Sequence, residues 1–88
     1  MEKAIENWLI SLYEEIGIKN PKMNSIMSAI KNGISEIKEK GLFDKRFNVS
    51  RNISVLVYES GAVEIHVSIA GVVSTYECFE EWKCKSGN

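Results

Sequence analysis

The apolar residues of this chain change their spacing once, just after Gly41, and that change limits what the chain can fold into. Before it, Ala4, Ile5, Trp8, Leu9, Leu12, Tyr13 and Ile16 recur at steps of three and four, which places them on one stripe of a helix. Gly17 supplies a C-terminal stop. A second stripe runs through Met23, Ile26, Met27, Ile30, Ile34 and Ile37 to Gly41, with Asn20 placed to cap and Pro21 at the first helical position. The short connection between them, "GIKN", predicts an antiparallel helical hairpin. Gly33 interrupts the second stripe at a cost of about 1 kcal/mol relative to alanine, so the position either admits a close backbone approach or marks a bend.

After "GLFDK" the period is two. In "ISVLVYES", Ile53, Val55 and Val57 point one way and Ser54, Leu56 and Tyr58 the other. In "AVEIHVSIA", Val63, Ile65, Val67 and Ile69 oppose Glu64, His66 and Ser68. Ser60-Gly61 reads as the hairpin turn between these strands, and Ala70-Gly71 turns into a third, "VVSTYE". "RFNVS" forms a further strand, paired through a loop at residues 50–52 or continuous with "ISVLVY"; its parity fits either. The tail "CFEEWKC" reads as a short helix with Phe79 and Trp82 on its inner side.

The expected architecture is therefore α+β. An N-terminal antiparallel helical hairpin packs on one face of a three- or four-stranded antiparallel meander, followed by a short C-terminal helix. At 88 residues the chain buries only about 60–65% of its unfolded surface, enough for a single domain spanning 1–88. The sheet face away from the hairpin would present Leu56, Tyr58, Glu64, His66 and Ser68.

Charge narrows the function. Eleven basic residues against twelve acidic ones give a net charge of -1, too little positive field for general nucleic-acid binding. No apolar run approaches the ~20 residues of a membrane span, and "MEKAIENWLI" has no signal-peptide pattern, so the chain reads as cytoplasmic.

The candidate reactive groups are few. Cys78 and Cys84 are five residues apart, outside zinc-knuckle spacing, and His66 is the only histidine, so no metal or other cofactor is expected. Packing of Cys78 and partial exposure of Cys84 is the plain reading; a redox role for the pair is the alternative. Glu64 and Ser68 lie about 7 Å from His66 along the strand, too far for a relay within it, which leaves Ser54 or Tyr58 as cross-strand partners. With no nucleophile motif, acid pair or oxyanion loop, no catalytic residue is assigned.

What remains is a small non-catalytic protein-binding module that occupies the surface of another protein or ribonucleoprotein complex. Its candidate contact residues are Leu56, Tyr58, Glu64, His66, Glu80, Glu81 and Trp82. One alternative is a nucleic-acid-associated regulator using Lys45, Arg46, Phe47 and Arg51; another is a plain homodimeric domain.

In its size, near-neutral charge, Lys/Ile/Asn/Glu-rich composition and the hairpin "VLVYESGAVEIHV" followed by "FEEW", the chain resembles small phage or mobile-element proteins, among them anti-CRISPR inhibitors. The resemblance carries over no functional residue. It implies stoichiometric inhibition of a host defence complex, and the modest charge favours steric or allosteric inhibition over mimicry of nucleic acid.

Overall fold

The computed structural model describes residues 2–79 and holds two helices and one four-stranded antiparallel sheet, an α+β arrangement. Helix α1 spans Glu2–Ile16 and α2 spans Met23–Lys40. The strands are β1 (Phe47–Asn48), β2 (Ile53–Val57), β3 (Ala62–Ile69) and β4 (Val72–Phe79), side by side in that order. Of the two possibilities for "RFNVS", the chain takes the hairpin. Phe47 stands opposite Val55 and Asn48 opposite Ser54, so β1 is a separate edge strand.

Helix α1 ends where Gly17 turns left-handed at φ +93°. The Ile18 N–H bonds back to the Tyr13 carbonyl at 2.9 Å and the Gly17 N–H to the Glu14 carbonyl at 3.1 Å, the double closure of a Schellman end. The start of α2 differs from the expectation. Lys22, not Asn20, occupies the cap position, and it makes no side-chain cap hydrogen bond. Asn20 is held at φ +51°, a left-handed conformation that an N-cap residue does not adopt. Asparagine tolerates that region better than most residues, and here it helps reverse the chain between the helices.

One face of the sheet is apolar on β1, β2 and β3 and, apart from Ser74, on β4. Ile53, Val55 and Val57 of β2, Val63, Ile65 and Val67 of β3 and Cys78 of β4 form one buried cluster with Ile5, Leu9 and Leu12 of α1 and Ile30, Ile34 and Ile37 of α2. Full burial of each such aliphatic side chain contributes about 1.5–3 kcal/mol. Helix α2 contacts β1 and β2, while α1 contacts β4. There the Trp8 indole N–H donates to Ser74 Oγ at 3.1 Å, and the Trp8 ring lies 5.2 Å from that of Tyr76.

The tail also differs from the expectation at its first two residues. Cys78 and Phe79 continue β4, because Cys78 keeps the inward parity of Val72, Ser74 and Tyr76 and sits opposite Val63 in the core, 1% exposed. The rest of the expected C-terminal helix lies outside the described residues.

The β3–β4 connection is a two-residue turn with both Ala70 (φ +51°) and Gly71 (φ +82°) left-handed. Alanine is a poor occupant of such a position, where Asn-Gly is the favoured pair. Ala70→Asn should raise stability by about 0.5–1 kcal/mol, read as a higher urea midpoint with an unchanged slope. A midpoint that falls or stays put would show that the turn is not strained.

Candidate functional site

The sheet face opposite the core cluster is built by the pleat. Strand pairing sets its side chains in cross-strand rows: Leu56, Glu64 and Glu77 in one, Ser54, His66 and Thr75 in the next, then Ser68 and Val73. Asn48 extends the middle row across β1. Val73, at 71% exposure, is the most exposed large apolar residue described.

The middle of this face is a connected polar chain. His66 Nε2 lies 3.0 Å from Glu64 Oε1 and His66 Nδ1 lies 3.2 Å from Thr75 Oγ1. An ionised carboxylate only accepts, so Nε2–H donates to Glu64; in the neutral imidazole Nδ1 is then the acceptor and the Thr75 hydroxyl donates to it. Glu64 also accepts from the Tyr58 hydroxyl. Desolvation, this hydrogen bond, and the charges of Glu64, Asp44 and Glu77 together raise the Tyr58 pKa above that of an ordinary phenol.

This geometry corrects the distance argument made from sequence. The 7 Å spacing of residues two apart describes their backbones, and two long side chains leaning towards each other along β3 close it to 3.0 Å. The hydroxyl that reaches the imidazole comes from Thr75 on β4, whereas Ser54 stands opposite His66 on the other side and Tyr58 serves Glu64. Thr75 had a legible signal. A two-residue turn at Ala70-Gly71 sets Ile69 opposite Val72, and counting back along both strands sets His66 opposite Thr75.

Of the candidate contact residues, Leu56, Tyr58, Glu64 and His66 are half-buried and gather on this face. Glu80, Glu81 and Trp82, together with Cys84, lie outside the described residues. The basic candidates separate. Arg46 and Arg51 are exposed and line a polar depression of about 390 Å³ at the β1–β2 end of the face, with Asn48, Asn52, His66 and Ser68. Lys45 is exposed but is not among the lining residues. Phe47 turns inward and packs against the core cluster, which removes the ring that a base-stacking role requires. The inward turn follows from its pairing with Val55, since directly opposed residues share a sheet face.

A second hollow, of about 580 Å³, lies where α1 meets the following turn and is lined by Ile10, Tyr13, Ile18, Pro21 and Met23. Burial raises the Tyr13 phenol pKa there. Among the described residues no group of three or more His, Cys, Asp or Glu side chains is placed to hold a metal ion, and no helix is long and apolar enough to cross a membrane. No protein-family model matches this chain, and neither the curated proteins nor the solved structures contain a significant match to it.

Proposed function

We propose that the chain is a non-catalytic binding module: a helical hairpin shields one sheet face, and the opposite face engages another protein or ribonucleoprotein complex. The observation that carries this reading is the outer face itself. It combines the exposed Val73 and the half-buried Leu56 with a polar chain, Tyr58–Glu64–His66–Thr75, whose side chains already hold one another in place. Ordered polar groups around an apolar contact lower the entropic cost of association. A body measuring 36 × 29 × 21 Å has a broad face comparable with the ~800 Å² that each partner commits to a standard interface.

The Glu64–His66–Thr75 arrangement has the order of a carboxylate–imidazole–hydroxyl relay, but its setting favours binding. Thr75 is exposed on edge strand β4 and is not among the residues that line the neighbouring depression, so the described residues build no enclosed substrate site around its hydroxyl. Inhibition of a host defence complex, implied by the resemblance to small phage proteins, would be exercised through this face by occupancy.

The test compares the wild-type chain with Val73→Glu as baits in nuclease-treated lysate, washed at low and high salt. A protein held stoichiometrically at high salt by the wild type and lost with Val73→Glu supports the reading. Identical captured sets for the two baits overturn it, because a charge in place of the exposed apolar residue on which the contact relies cannot be neutral.

A further inference from the structure

The polar depression at the β1–β2 end of the outer face is a second feature of that face, which shares His66 and Val73 with the proposed protein contact. We propose that it is an oxyanion site that takes the phosphate group of a phosphate ester.

The first support is how the arginines are held. Arg46 immediately precedes β1 and lines the depression together with Asn48, and Asn48 is opposite Ser54, which is opposite His66. Arg51 comes from the loop that follows. That loop is fixed by three backbone hydrogen bonds, from Val49 and Ser50 N–H to the Ile53 carbonyl at 3.0 and 3.1 Å, and from Ser68 N–H to the Asn52 carbonyl at 3.0 Å. Arg51 is therefore carried by a loop tied down on both β2 and β3.

The second support is that no described residue pairs with these cations. Among the described residues neither guanidinium has a hydrogen bond or an ion pair. The acids of this face lie towards its other end: Glu64 is engaged by His66 and Tyr58, Glu77 stands opposite Glu64, and Asp44 acts on Tyr58. The face is thus divided into an acidic end and a basic end.

The third is the lining. Two planar guanidiniums offer paired N–H donors that match phosphate oxygens, and the amides of Asn48 and Asn52 and the hydroxyl of Ser68 add neutral donors. A doubly charged phosphate monoester suits two arginines better than a singly charged carboxylate does. About 390 Å³ accommodates the phosphate and part of what it is attached to, and among the described residues the one ring on the lining is the imidazole of His66. Most of the lining's donors match the phosphate.

The experiment is an amide NMR titration of the full chain with inorganic phosphate, adenosine monophosphate, adenosine and a short single-stranded oligoribonucleotide. Phosphate and adenosine monophosphate should produce saturable shifts at Asn48, Arg51, Asn52 and Ser68, and adenosine none. Arg46→Gln and Arg51→Gln should each weaken adenosine monophosphate by about tenfold, while Lys45→Gln, with the same change in net charge, leaves it unaltered. An oligonucleotide that binds more tightly than the mononucleotide, with a logarithmic salt slope of about 0.7 per phosphate contacted, identifies a nucleic-acid backbone as the source of the phosphate. Equal affinities identify a free phosphate ester. The proposal is overturned if no ligand gives saturable shifts at these amides, if adenosine shifts them equally, or if Lys45→Gln weakens binding as much as Arg51→Gln.

Discussion

Ile65→Ala should lower the unfolding free energy by about 3–4 kcal/mol, a large share of the ~4–13 kcal/mol expected for a chain of this length. Ile65 is fully buried in the middle of β3, between Val55 on β2 and Tyr76 on β4, and belongs to the cluster that both helices help to close. Removing three carbons there leaves a cavity walled by β-branched neighbours with few alternative rotamers, so the surroundings collapse poorly. Ile69→Ala, at the half-buried end of the same strand, should cost less than half as much. Urea unfolding of both variants measures the difference. Equal losses would mean that the core is not centred on β3.

The second large effect concerns Gly33. In an exposed helix interior, glycine to alanine stabilises by about 1 kcal/mol. Here Gly33→Ala should instead destabilise by about 1–2 kcal/mol, because the added Cβ would overlap Val49 Cγ1, with Val49 Cβ at 3.5 Å and Phe47 Cδ2 at 3.7 Å. Valine is stiff about χ1, so the clash is relieved only by moving the β1–β2 loop off the helix. The sign is the test. In a Val49→Ala background the same substitution should become neutral or stabilising, and the coupling in the double-mutant cycle should recover most of the loss. If Gly33→Ala stabilises the wild-type chain, the glycine is not there for close approach. Because the same loop carries Arg51, displacement of the loop should also weaken phosphate binding at the depression.

Gly33 shows how far the sequence could be read. A glycine inside a helical stripe signalled either close approach or a bend, and the signal was sound. Its cause, a β-branched side chain sixteen residues downstream, belongs to another element and has no local trace. The two periodicities behave in the same way. They were sufficient for two helices followed by strands and for assigning the inward side chains from Ile53 to Val67, because burial on one face imposes a period that survives in the residue order. The same parity extends to Cys78, although its neighbours "FEEW" suggested a helix.

The outer face was only half legible. Leu56, Tyr58, Glu64 and His66 were placed on it by alternation, but the bonds among them depend on the directions in which side chains lean and on which strand lies alongside. Spacing along one strand put Glu64 out of reach of His66, and side-chain length brought it within reach. Thr75 needed the β3–β4 register, which the turn at Ala70-Gly71 sets. The basic residues were grouped by adjacency in sequence, and the fold regrouped them: pairing with β2 sent Phe47 inward, left Lys45 outside the depression, and brought Arg46 and Arg51 to Asn48, His66 and Ser68.

What the sequence by itself determined is therefore the kind and order of the elements and which side of each faces the core, since these follow from local periodicity and the hydrophobic effect. Only the tertiary structure decided which polar groups share a bond and which cations share a hollow. Those depend on contacts between residues far apart in the chain, and a period within one segment carries no information about its neighbour across the sheet.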